Sequence, residues 1–155
     1  MLDAPVSGGE PGAIAGTLSI MVGGTAEDFE ECRDLLQCMG RSVVRIGDVG
    51  SGNIAKLANQ IIVALNIAAV SEALVLAKKA GVSPKLVYEA IRGGLAGSNV
   101  LDAKAPLMMQ RKFEPGFRIE LHMNDLSNVI ETAREVGVPL PLTCVVMEIL
   151  QALKV

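Results

Sequence analysis

The sequence predicts a mainly α protein with a small α/β portion at its N-terminal end. Three observations carry that prediction. Up to residue 49, short apolar runs alternate with turn signals, the pattern of strands. From residue 50 onward, apolar residues recur at helical spacing in segments bounded by glycine and proline. Between Asn53 and Gly81 no proline and no internal glycine interrupts the chain. The expected division is therefore a strand-containing part over 1–49 and an all-helical part over 50–155.

The runs "LDAPV" (2–6), "LSIMVGG" (18–24) and "SVVRIG" (42–47) read as strands. Between the second and third lies "TAEDFEECRDLLQCMG". Thr25 can cap a helix there, Phe29, Cys32, Leu35 and Leu36 form its apolar stripe, and Gly40 can stop it. The expected order is strand, strand, helix, strand. The 53–81 segment predicts a helix of roughly 40 Å at 1.5 Å per residue. It is apolar almost all round, so most of it is expected to be buried. Ser83-Pro84 restarts a helix that ends at Gly93-Gly94. Three more follow: "SNVLDAKAPLMMQRK", disturbed by Pro106; "IELHMNDLSNVIETAREVG", closed by Gly137; and "PLTCVVMEILQALKV".

Composition narrows the function classes. Half of the residues are hydrophobic but only 3% are aromatic, so the core is aliphatic. The net charge is -3 and no basic cluster or aromatic-interleaved basic stripe occurs, which argues against a nucleic-acid partner. Cys32, Cys38 and Cys144 lack metal-ligand spacing, and His122 is the sole histidine, so no metal site is expected. The cysteines read as small core hydrophobes in a reducing, cytoplasmic setting. Nothing at the start reads as a signal peptide. The most apolar stretch, 54–77, is broken by Lys56, Asn59, Gln60, Asn66 and Glu72, which argues against a membrane span.

Three stretches can carry chemistry. Ser7-Gly8-Gly9 follows a strand, and glycines there permit positive φ and close approach of a ligand. Successive backbone N–H groups can then form a nest for an anion such as a carboxylate, with the Ser7 hydroxyl as a further donor. The plain alternative is a tight turn between two strands. In "GSGNIAKLANQ" (50–60), Lys56, Asn59 and Gln60 are spaced i, i+3, i+4 and share one polar face of an aliphatic helix, which Asn66 continues. Lys56 is either a snorkelling surface group or a partly desolvated ammonium able to donate a proton near neutral pH. In "FRIELHMNDL" (117–126), His122 and Asp125 lie i, i+3. His122 reads first as a helix-surface or capping group and only second as a catalyst, and Arg118 and Glu120 read as solvated charges.

Taken together, "DAPVSGG" and, some forty residues on, the pattern G-x-G-x-x-x-K-x-x-N resemble the β-hydroxyacid dehydrogenase family. The likeness runs on through "KLANQIIVALNIAAVSEAL", "AIRGGLAGSNVLDAKAP" and "PLPLT" and covers essentially the whole chain. It is fullest toward the tartronate semialdehyde reductase branch. The resemblance implies the remnant of a Rossmann sheet followed by an all-helical, 6-phosphogluconate-dehydrogenase-like domain around a long helix. It implies that Ser7, Gly8 and Gly9 hold the substrate carboxylate. Lys56 is then the general acid and Asn59 and Gln60 the amides beside the substrate. Asn124 and Asp125 fall at the cofactor's nicotinamide end, where Asn124 stands in place of the family's usual lysine.

The implied reaction is NAD(P)H-dependent reduction of tartronate semialdehyde to glycerate, in a homo-oligomer. The alternatives are a 3-hydroxyisobutyrate dehydrogenase and a non-catalytic helical oligomerisation module. In the family a dinucleotide-binding half with a G-x-G-x-x-G turn precedes "DAPVSGG". These 155 residues read as the part that follows it. On their own they are expected to bind the dinucleotide weakly or not at all and to be inactive.

Overall fold

The computed structural model describes residues 1–114 and 116–154. They form β1 (Val6–Ser7), α1 (Gly9–Ile14), β2 (Leu18–Gly23), α2 (Ala26–Gln37), β3 (Gly40–Gly47), α3 (Ser51–Lys79), α4 (Pro84–Ile91), α5 (Asn99–Met109), α6 (Ile119–Glu135) and α7 (Pro141–Ala152). This is the expected fold class, a small sheet-bearing portion followed by helices. The chain divides into two compact units, Met1–Gln60 and Ile61–Val155.

In the first unit the sheet has the order β1-β2-β3. β1 pairs antiparallel with β2, Val6 opposite Ile20 and Ser7 opposite Ser19. β2 pairs parallel with β3, Ile20 opposite Val43, and α2 makes the crossover that parallel strands require. Leu18, Ile20, Val22, Phe29 and Leu36 are buried together, and Cys32 packs against them. The Thr25 hydroxyl accepts from the Asp28 amide at 3.1 Å, the expected cap of α2.

Several expectations need correction here. The first strand is two residues long, preceded by a single bridge from Asp3 to Gly23. Leu35 is 67% exposed, because the buried face of α2 runs through Phe29, Cys32 and Leu36 and cannot also hold the neighbour of Leu36. Gly40 does not stop α2. It opens β3, where a Cβ would lie 2.7 Å from the Leu18 carbonyl oxygen, so strand contact is what demands glycine. α1 was not expected at all.

In the second unit Val70, Leu74, Leu101 and Ala105 form a buried cluster from α3 and α5, flanked by Tyr88 of α4. Ser83 and Ser98 cap α4 and α5 through the amides of Leu86 and Leu101. The Tyr88 hydroxyl donates to Asp102 at 2.9 Å and Arg92 pairs with the same carboxylate at 3.2 Å, tying α4 to α5. Pro106 lies inside α5 without ending it. α6 buries Met123, Leu126, Val129 and Ala133 along one face.

α3 is less buried than its composition suggests. Ile62 is 61% and Leu76 71% exposed, so the expectation of a mostly buried helix fails for this chain. By length and composition alone the helix could cross a membrane. The cysteines also differ from expectation: Cys38 and Cys144 are exposed, and only Cys32 is packed against a core.

Candidate active site

Lys56 lies in the second turn of α3 and is half-buried. Its ammonium donates to the Val6 carbonyl at 2.7 Å. Val6 immediately precedes Ser7-Gly8-Gly9, so the fold brings the predicted lysine to the residue before the predicted glycine stretch. Asn59 donates from Nδ2 to Oε1 of Gln60 at 2.9 Å. Gln60 is 5% exposed, an unusual place for a primary amide on an aliphatic helix. Asn66 instead turns its amide back to the Ile62 carbonyl of its own helix at 2.9 Å.

Ser7-Gly8-Gly9 is a helix start rather than a simple turn between strands. Gly8 has φ 135° and precedes α1, and Gly9, its first residue, has φ 60°. Both angles lie where L side chains are strained. No side chain caps α1. The first N–H groups of a helix lack intrahelical acceptors and sit at the positive end of its dipole. An anion beside Gly8 and Gly9 would meet these groups.

The start of α3 is arranged differently, and sequence reading missed why. The Asp3 carboxylate accepts from the Gly50 amide at 2.6 Å and from the Asn53 amide at 2.8 Å. One carboxylate thus does the work of both halves of a capping box, from 47 and 50 residues away. These bonds, the Gly50 one above all, hold the Asp3 carboxyl below its ordinary range against the opposing effect of partial burial. The main chain of Asp3 is fixed as well, its N–H to the Gly23 carbonyl at 3.0 Å and its carbonyl to the Gly23 N–H at 2.8 Å. The signal was the aspartate of "DAPVSGG", but no local spacing links it to residue 50.

The remaining predicted residues lie on α6 in the second unit. Asn124 is exposed and Asp125 half-buried. His122 is neither surface nor cap: it is 7% exposed, its ring edge-on to Phe117 at 5.7 Å between centroids. Arg118 and Glu120 are exposed, as expected of solvated charges. The second unit also holds a cavity of about 560 Å³ bordered by Leu74, Val75, Lys78, Met108 and Phe113. None of the predicted site residues borders it, so cavity size does not locate the chemistry.

A family model for the NAD-binding region of NADP-dependent 3-hydroxyisobutyrate dehydrogenase matches residues 50–155, and one for the NAD binding domain of 6-phosphogluconate dehydrogenase matches residues 1–47. The chain belongs to the β-hydroxyacid dehydrogenase family, 3-hydroxyisobutyrate dehydrogenase-like. It is 49% identical over 148 residues to the 2-hydroxy-3-oxopropionate reductase of Escherichia coli K12, a match covering 96% of this chain and 51% of that one. It is 38% identical over 149 residues to the 3-hydroxyisobutyrate dehydrogenase of Pseudomonas aeruginosa, covering 92% and 50%. The solved 3-hydroxyisobutyrate dehydrogenase of Mycobacterium tuberculosis, with L-serine, superposes with TM-score 0.87 at 31% identity, covering 98% of this chain and 55% of that one. The chain thus spans about half the length of the relatives it matches.

Family membership raises the question of the dinucleotide. Residues 47–55 of this β-hydroxyacid dehydrogenase chain have the letters of a pyrophosphate turn: β3, then G-x-G-x-x-A, then α3. The turn does not fit a pyrophosphate. Its helix start already holds the Asp3 carboxylate on the Gly50 and Asn53 amides. A second anion would have to displace the first and meet its charge.

Proposed function

We propose that these residues form the substrate-carboxylate and proton-donating part of an NAD(P)H-dependent 2-hydroxy-3-oxopropionate (tartronate semialdehyde) reductase. The observation that carries this is the 2.7 Å bond from the Lys56 ammonium to the Val6 carbonyl, directly before Ser7-Gly8-Gly9. Ser7 and the glycine amides bind the substrate carboxylate. Lys56, one residue behind them on the strand side, meets the carbonyl oxygen of the aldehyde. Reduction builds negative charge on that oxygen, and an ammonium within hydrogen-bond reach stabilises it and then gives it a proton. Asn59 and Gln60, bonded to each other, limit where the substrate's polar end can sit. The nicotinamide, when bound, supplies the hydride; Asn124 and Asp125 are the residues of α6 we assign to that end.

The 49% identity to the Escherichia coli reductase supports this substrate over others. The L-serine in the Mycobacterium tuberculosis structure supports the shared part of the reading, a short carboxylate with an oxygen on the β-carbon. It also keeps 3-hydroxyisobutyrate as the second substrate to assay. The test is a chimera in which residues 1–155 follow the dinucleotide-binding half of the Escherichia coli reductase. There Lys56→Met should lower kcat by about 10²–10⁴-fold, the ordinary contribution of a general acid. Circular dichroism should show the fold retained. Unchanged turnover by a folded Lys56→Met chimera would remove Lys56 as the acid. A chimera inactive on both substrates before mutation would favour the helical oligomerisation module, to which the exposed Ile62, Val75 and Leu76 of α3 lend weight.

A further inference from the structure

We propose that Asp3 is the positioning residue of this site: by holding the start of α3 it sets the Lys56 ammonium at the Val6 carbonyl. The inference rests on the reading of Lys56 as proton donor only for its functional meaning, since the geometry stands without it.

The strand segment 3–6 grips α3 at two points. Asp3 holds the Gly50 and Asn53 amides, and Val6 receives Lys56. The first grip is on main-chain N–H groups at the start of the helix, and the second is on a side chain three residues beyond Asn53. Each grip limits what the other can do. An α-helix rises about 1.5 Å per residue, so sliding α3 by one residue would move the Lys56 backbone by that much past the Val6 carbonyl and force a new side-chain rotamer to keep the bond. The main chain of Asp3 cannot follow such a slide, because both its N–H and its carbonyl are bonded to Gly23.

Two glycines clear the space for this carboxylate. A Cβ on Gly52 would lie 2.8 Å from Asp3 Oδ2 and 2.9 Å from the Asp3 carbonyl oxygen. A Cβ on Gly23 would press on Asp3 Oδ1 and lie 2.8 Å from the Gly52 nitrogen. Gly52 of the G-x-G therefore makes room for the chain's own carboxylate, while Gly50 answers a backbone demand, its φ of 96°.

Lys56 is the sole lysine of the first unit, which makes its reactivity a local reporter. The experiment acylates the 155-residue chain with a water-soluble amine-reactive ester and follows each lysine by peptide mass spectrometry. In Asp3→Ala the acylation rate of Lys56 should rise by about tenfold, the order that a lost hydrogen bond to a charged group carries. Lys78, Lys85 and Lys104 should be unchanged. Alkylation of Cys32, packed against the first unit's core, should also be unchanged, which separates loss of positioning from opening of the unit. If Cys32 becomes reactive in Asp3→Ala, Asp3→Asn decides. It keeps one acceptor oxygen and should give a smaller rise at Lys56 with Cys32 still protected. An unaltered Lys56 rate in a folded Asp3 variant overturns the proposal and leaves the kinetic test of Lys56 untouched. A rise at Lys56 together with a fully active Lys56→Met chimera keeps the positioning and discards the proton-donor reading.

Discussion

The first unit contains two glycine-led helix starts, and they are used in opposite ways. α3 begins after β3 at Gly50-Ser51-Gly52, and α1 begins after β1 at Gly8-Gly9. The same physics acts at both: orphan N–H groups and the positive end of a helix dipole invite a negative charge. At α3 the chain supplies that charge itself, through Asp3. At α1 it supplies no side-chain cap. The start with the letters of a dinucleotide turn is thus the one already filled. The start without them follows two residues after the Val6 carbonyl that Lys56 meets. Whether a strand–glycine–helix junction can serve a ligand depends on whether a carboxylate elsewhere in the chain reaches it first.

Gly52→Ala should break the filled start and give the largest stability loss. Its Cβ would meet the Met21 carbonyl oxygen of β2 and both the carboxylate and carbonyl oxygens of Asp3. Main-chain atoms in a sheet cannot swing aside. The cost should lie at or above ~3 kcal/mol, the upper end of ordinary overpacking. Urea denaturation of the 155-residue chain measures it. A loss near that of an exposed helical Gly→Ala change would mean that α3 and β2 stand further apart than described.

That contrast also marks what could be read from sequence. Local signals served well: Thr25, Ser83 and Ser98 lead their helices, with Pro84 following Ser83, and the long helix follows from a run without proline or internal glycine between Asn53 and Gly81. α1 was illegible because "GEPGAI" has poor helix formers. Tertiary contact overrides that propensity. Gly12 is buried, and a Cβ there would lie 3.2 Å from Leu18 Cδ2. Pro11 sits in the first turn, where a missing N–H costs no helical bond. The Asp3 cap was hidden because its partners are 47 and 50 residues away. The exposure of Ile62 and Leu76 could not be read from composition, which gives apolarity but not what covers it. Lys56 and the glycine stretch were legible because residue type, spacing and order all pointed the same way.

Gly9→Ala sharpens the other side of the comparison and should cost less. Gly9 has φ 60°, but a Cβ there would find only Pro11 Cδ, at an ordinary 3.7 Å. The penalty is then backbone strain alone, roughly 1–2 kcal/mol for an L residue in the left-handed region. Urea denaturation again reads it. A loss equal to that of Gly52→Ala would mean that the start of α1 is packed as tightly as the start of α3, and would remove the room assigned to a substrate carboxylate.

The smallest effect is expected from Asp3→Asn, and it is a matter of pH. The folded carboxyl of Asp3 is held below its ordinary range by the Gly50 amide above all, with the Asn53 amide adding to it. A carboxyl whose folded pKa is depressed stabilises the fold at pH values above its unfolded pKa, about 3.9 for aspartate. That contribution is lost as pH falls through the lower, folded value, because the proton then removes the charge that the amides bind. At pH 7 the Asp3→Asn chain should therefore be less stable than the original, and the gap should narrow as pH drops below the unfolded value. Asp28 is also held low, chiefly by the N-terminal ammonium and then by Thr25, but it is present in both chains and cancels in the difference. Urea midpoints for the two chains at a series of pH values test this. A gap that stays constant into acid would mean that asparagine fails by shape rather than by charge, and that the start of α3 is held by geometry without the carboxylate's charge.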